Sequence, residues 1–122
     1  MNCGHRILLV DDEPALLAAV RRVVARARPD AVVVYAADAA TAEWQLRSTS
    51  LRLVVTDLRM SEDDRAGLRV VRAAAEAGVP VAVLTGADAT QIEELCHGDI
   101  EVLPKASMTA ARLAELVERA FR

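Results

Sequence analysis

The sequence predicts a doubly wound α/β fold built on a parallel sheet, and three observations carry that reading. Five short aliphatic runs alternate with five longer amphipathic stretches along the 122 residues. The runs have the length of strands and the stretches the length of helices. Capping residues and glycines stand where one kind of segment gives way to the other. Strands that alternate with helices lie parallel, with the helices covering both faces of the sheet. Right-handed crossovers leave few topologies, and the expected strand order is the flavodoxin-like 2-1-3-4-5.

Each element can be justified in turn. The first strand spans residues 6–10 and contains Ile7-Leu8-Leu9-Val10. Four consecutive aliphatics suit a strand buried on both faces. Asp11, Asp12 and Glu13 follow, and Pro14 opens a helix over 14–27. Proline is tolerated there because the first turn of a helix does not use its N–H. Leu17, Val20, Val24 and Ala27 fall on one helical face, with Arg21, Arg22 and Arg26 largely elsewhere. The second strand is placed at 31–35, and Asp38 caps a helix over 39–48. The third strand, at 51–56, runs into Asp57. A helix at 66–77 ends at Gly78, and the fourth strand is placed at 79–84. Asp88 caps and Gly98 closes a fourth helix at 89–97. The fifth strand is placed at 100–103. Ser107 caps the last helix, at 108–121, whose apolar stripe is Leu113, Leu116, Val117 and Ala120.

Composition bounds the function. The length suits one domain over residues 1–122, and a 53% hydrophobic content supplies a core. Aromatic residues are 2% of the chain, so that core is built from Val, Leu, Ile and Ala. The net charge of −3 comes from 15 basic and 18 acidic residues spread along the chain. There is no basic run for a nucleic-acid surface and no set of aromatics for stacking bases. No apolar segment has the length of a membrane span, and the polar N-terminus does not read as a signal peptide. Cys3 and Cys96 lack metal-ligand spacing. They point to a reduced, cytoplasmic protein.

In an open parallel sheet, ligands bind outside the carboxyl ends of the strands. This sequence places Asp11 and Asp12 after the first strand, Asp57 after the third, Thr85 and Gly86 after the fourth, and Lys105 past the fifth. The second strand ends in Tyr35-Ala36-Ala37 and offers no such group. Clustered carboxylates repel unless a cation joins them, and Mg²⁺ prefers oxygen ligands. Asp57, central in the set, can act as a carboxylate nucleophile. Asp11 and Asp12 can hold a metal that neutralises phosphoryl oxygens. Lys105 is a compact charge suited to a phosphate oxygen, and Thr85 can donate a hydrogen bond to one. Taken singly, each has a bland alternative: a solvated helix turn for the paired acids, a strand-end turn for Asp57, a cap for Thr85, a loop cation for Lys105. The weight lies in their convergence from separate parts of the chain.

With these residues in view, the chain resembles the receiver domain of two-component response regulators over essentially its whole length. The resemblance rests on Val10-Asp11-Asp12-Glu13-Pro14, Asp57 with Met60, Leu84-Thr85-Gly86, and Lys105. It implies that Asp57 accepts a phosphoryl group from a sensor histidine kinase or a histidine phosphotransfer protein. It implies Mg²⁺ held by Asp12, Asp57 and the backbone carbonyl of Arg59, with Asp11 acting through water. Thr85 and Lys105 would contact phosphoryl oxygens, and Thr85 would also be a switch position. Such a domain catalyses its own modification and is not an enzyme acting on an external metabolite.

Several positions depart from the family pattern. Ser61 replaces the proline usual after Met60, and the loop that follows, 61–67, is long and acidic. Ala106 replaces the proline usual after the lysine, where the family has a cis bond. The fifth-strand switch position, commonly Tyr or Phe, is Val102. These departures motivate an alternative, a phosphorylation-independent protein-binding module of the same fold. A phosphatase with an aspartate nucleophile is a further class, but Arg59 stands where its second acid would be. The Arg59 side chain is a candidate shield for an acyl phosphate, with a solvated loop cation as the alternative. The face made by the fourth helix, fifth strand and fifth helix is a candidate homodimer surface.

Overall fold

The computed structural model describes residues 6–12, 14–57, 66–85, 100–104 and 109–121. The described elements are β1 (Arg6–Val10), α1 (Pro14–Ala27), β2 (Val32–Ala36), α2 (Ala39–Ser48), β3 (Leu53–Asp57), α3 (Ala66–Ala77), β4 (Val81–Thr85), β5 (Ile100–Pro104) and α4 (Ala110–Ala120). All strand pairs are parallel, in the order β2-β1-β3-β4-β5. This is the expected doubly wound topology. The helix expected at 89–97, with its Asp88 cap and Gly98 stop, lies outside the described residues.

The sheet divides its side chains between two cores because successive strand residues point to opposite faces. Leu8, Val10, Val54, Val81 and Val83 pack with Ala39, Ala42 and Leu46 of α2 and with Val70, Val71 and Ala74 of α3. Ile7, Leu9, Leu53, Val55, Ala82 and Leu84 face the other way. They meet Val20 and Val24 of α1 and Leu113, Leu116 and Val117 of α4. The apolar stripes read from the first and last helices are therefore the faces that bury. Alanines on α2 and α3 keep these helices close to the sheet, as the scarcity of aromatics implied.

Local chemistry sets the helix ends. Asp38 caps α2 by accepting a 2.7 Å hydrogen bond from the Thr41 N–H. Gly78 follows α3 at φ +73°, a left-handed conformation that glycine adopts without a Cβ penalty. The last helix corrects the sequence expectation. Its cap is Thr109, whose hydroxyl accepts from the Arg112 N–H at 3.1 Å, and not Ser107. Both residues are suitable caps by type, and the helix start decides between them.

Strands β2, β3 and β4 also begin and end later than the aliphatic runs suggested. Strand ends follow ladder hydrogen bonds to a neighbour, so polar Asp57 and Thr85 are themselves terminal strand residues. At the opposite, N-terminal edge of the sheet, Arg52 donates its N–H to the Arg6 carbonyl at 2.8 Å. There the guanidinium groups of Arg28 and Arg52 lie 4.7 and 5.7 Å from the ring centre of Phe121, within cation–π range. These contacts join the end of α4 to the base of the sheet. The carboxyl edge is left to the acids. No helix among the described residues is long and apolar enough to cross a membrane.

Candidate functional site

The site begins with the alignment of β1 and β3. Val10 pairs with Thr56, so the next residues, Asp11 and Asp57, emerge at the same level. Both carboxylates are buried, Asp11 at 0% and Asp57 at 6% exposure, while Asp12 faces solvent. Each of the three can offer one oxygen such that all three lie within 4.8 Å of one another. The trio thus gathers three carboxylates at one place, two of them buried and one exposed.

The donor set fits a hard divalent cation. Octahedral Mg²⁺ with bonds of about 2.0–2.1 Å places its ligand oxygens about 3–4 Å apart, so modest side-chain rotation closes the trio around an ion. All three donors are carboxylate oxygens, the type that Mg²⁺ and Ca²⁺ prefer. There is no nitrogen or sulfur donor in the group to favour a softer metal.

Hydroxyl groups hold the main chain at two of these acids. Thr56 is fully buried, and its Oγ1 donates to the Asp57 carbonyl at 3.0 Å. The half-buried Tyr35 hydroxyl donates to the Asp11 carbonyl. The Asp11 N–H in turn donates to the Ala36 carbonyl at 3.1 Å, one step beyond the paired ends of β1 and β2. Burial raises the Tyr35 phenol above its ordinary pKa of 10.0, and the negative charges of Asp11 and Asp12 push it further the same way.

Tyr35 corrects the sequence reading, which found no contributing group on the second strand. Its hydroxyl comes from within the strand and not from the residues past its end. The signal that finds Tyr35 is the parallel register, Leu9 opposite Tyr35. It sets a long aromatic side chain with a terminal donor beside the loop that carries both acids.

The other expected residues divide between placed and undescribed. Thr85 is the last residue of β4, one beyond the Asp57–Leu84 pair and opposite Pro104 of β5. Its backbone therefore lies on the same sheet edge as the acids. Val102 sits in β5 opposite Val83. Arg59 and Lys105, with the Lys105–Ala106 bond, lie outside the described residues. Lys105 follows directly on Pro104, where β5 ends at that same edge.

Comparison with known proteins gives a consistent result. A family model for the response regulator receiver domain matches residues 7–118. A response regulator receiver protein from Sinorhizobium medicae is 27% identical, with 96% of this chain and 94% of that chain covered and a TM-score of 0.82. One from Pseudomonas putida is 25% identical, with 98% and 99% covered and a TM-score of 0.80. The signal receiver domain of an HD domain-containing protein from Pseudomonas fluorescens shares the fold, at 22% identity and a TM-score of 0.80 over 97% and 94% of the two chains. No curated protein matches.

Proposed function

Because the chain belongs to the response regulator receiver domain family, and so to two-component signalling, we propose that it accepts a phosphoryl group on Asp57 in a Mg²⁺-dependent reaction. The observation that carries this reading is the convergence of Asp11, Asp12 and Asp57 to within 4.8 Å. The donor is a phosphohistidine of a sensor kinase or a histidine phosphotransfer protein.

In this mechanism an Asp57 carboxylate oxygen attacks phosphorus while the bond from phosphorus to the histidine nitrogen breaks, and the imidazole leaves with that electron pair. Asp12, Asp57 and the Arg59 carbonyl would hold the cation, with Asp11 acting through water. When bound, Mg²⁺ neutralises charge on the acids and on the phosphoryl oxygens. Thr85 donates a hydrogen bond to one phosphoryl oxygen, and the Lys105 ammonium pairs with another. Burial of Asp57 limits access of bulk water to the acyl phosphate. The added charge of about −1.5 to −2 is the signal, and it acts only if it biases an element with two arrangements.

Val102 favours a second reading, in which the same surface binds a partner regardless of phosphorylation. A valine cannot supply the rotation of a large aromatic ring, so the family's fifth-strand relay is absent here. Intact-mass measurement after incubation with a small phosphodonor and Mg²⁺ separates the two. A phosphoryl adduct on wild type, dependent on Mg²⁺ and absent in Asp57→Asn, is the expected result. Failure of wild type to form an adduct with either small-molecule or phosphohistidine donors would leave the constitutive binding module.

A further inference from the structure

We infer that Tyr35 is a positioning residue for the cation site, fixing the peptide that links Asp11 to Asp12. The inference rests on the reading that these acids bind Mg²⁺. It starts from two main-chain anchors that β2 supplies to Asp11. The Asp11 N–H donates to the Ala36 carbonyl, and the Asp11 carbonyl accepts from the Tyr35 hydroxyl. That carbonyl belongs to the peptide plane that also contains the Asp12 N–H. The plane is rigid, so holding its oxygen sets where the Asp12 backbone departs and where its carboxylate can reach.

The ordinary strand ladder does not do this job. The β1–β2 register ends at Val10 and Ala36, and β2 is the edge strand of the sheet. Beyond that point the paired register of β1 and β2 no longer aligns the Asp11–Asp12 peptide. Tyr35 extends the hold by one peptide through a side chain, from a residue 24 positions away in sequence. The ring itself is seated against the core cluster that contains Leu9, so the hydroxyl is held from behind. Thr56 makes the corresponding contact to the Asp57 carbonyl from within β3. Mg²⁺ tolerates little departure from octahedral geometry, so the order of its ligands before binding governs affinity. Groups that orient ligands in this way typically contribute about 10–100-fold to metal affinity.

The test is Mg²⁺ binding by the full chain, measured by calorimetry for wild type and Tyr35→Phe. The variant keeps the ring and loses the donor. The expected result is affinity lower by roughly tenfold, at the low end of the range for such orienting groups. A second readout comes from wild type alone. The chain contains one tyrosine, so its phenol carbon resonance reports Tyr35 without ambiguity. That resonance is expected to move with Mg²⁺ and to saturate at the calorimetric midpoint. This readout holds even if Tyr35→Phe fails to fold, and a tyrosine that merely fills space would not give it. Wild-type affinity in Tyr35→Phe, or a Tyr35 signal indifferent to Mg²⁺ in a wild type that binds it, overturns the inference and leaves the receiver reading standing. Absence of Mg²⁺ binding by wild type overturns both.

Discussion

Replacing Asp57 by Asn keeps the shape of the side chain and removes one negative charge from beside two others. The three carboxylates offer oxygens within 4.8 Å of one another. At that separation two unit charges repel by about 0.9 kcal/mol in water and about 3.5 kcal/mol at an effective dielectric constant of about 20. Asp11 and Asp57 are buried while Asp12 is exposed, so the operative value lies between these limits. The substitution removes two repulsive pairs, and the lower limit alone gives about 2 kcal/mol of added stability in the absence of divalent cations. At about 2.1 cal/mol/K of unfolding entropy per residue, each kcal/mol is worth about 4 °C for a chain of 122 residues. Asp57→Asn is therefore expected to melt about 8 °C higher than wild type in EDTA. Mg²⁺ then acts the other way. At a hundred times its Kd it stabilises wild type by about 2.7 kcal/mol, or about 10 °C. The variant, with two charged ligands left, should gain only a small part of this. Thermal melts of both proteins in EDTA and in MgCl₂, followed by circular dichroism, measure all four values. A variant that melts below wild type in EDTA refutes the repulsion argument. Equal Mg²⁺ shifts in the two proteins refute Asp57 as a ligand.

Two further predictions concern the scaffold. Leu9 is fully buried between Tyr35 and Val55 and lies in the core with Val20, Val24 and Leu113. Leu9→Ala should cost about 3–4 kcal/mol in urea unfolding, and a loss below about 1 kcal/mol would show a loosely packed α1–sheet interface. The Asp38 carboxyl is held below its ordinary pKa of 3.8, first by the hydrogen bond from the Thr41 N–H and last by the charge of Arg69. The folded state therefore binds that proton less readily than the unfolded state. The stabilisation is present above 3.8 and is lost as pH falls through the lower, folded value. Urea melts should show Asp38→Ala less stable than wild type at neutral pH, with the gap shrinking in acid. A gap independent of pH would remove the charged cap from the account.

Much of the architecture was legible because its signals are local. The two periodicities separated strand from helix, and the Asp38 cap and the Gly78 stop mark real helix ends. Boundaries were less legible. Ser107 and Thr109 have the same capping chemistry, and only the position of the first helical turn chooses Thr109. Strands β3 and β4 run past their aliphatic residues into Asp57 and Thr85 because ladder hydrogen bonds ignore side-chain polarity. At the site, residue type and order pointed to the three acids, and the parallel register brings them together. Tyr35 was missed because its contribution is one hydroxyl on a backbone carbonyl, and residue type alone does not announce such a contact.

The sequence by itself determined the fold class, the strand order, and the collection of acids at one edge of the sheet. Hydrophobic periodicity and the carboxyl-end rule for parallel sheets require nothing beyond the chain's own order. Tertiary structure alone decided that Asp11 is buried while its neighbour Asp12 is exposed. It also decided that β2, an edge strand without an acid of its own, reaches over to hold the peptide between them. Burial and side-chain reach depend on how strands distant in sequence align, and the alignment exists only once the sheet has formed.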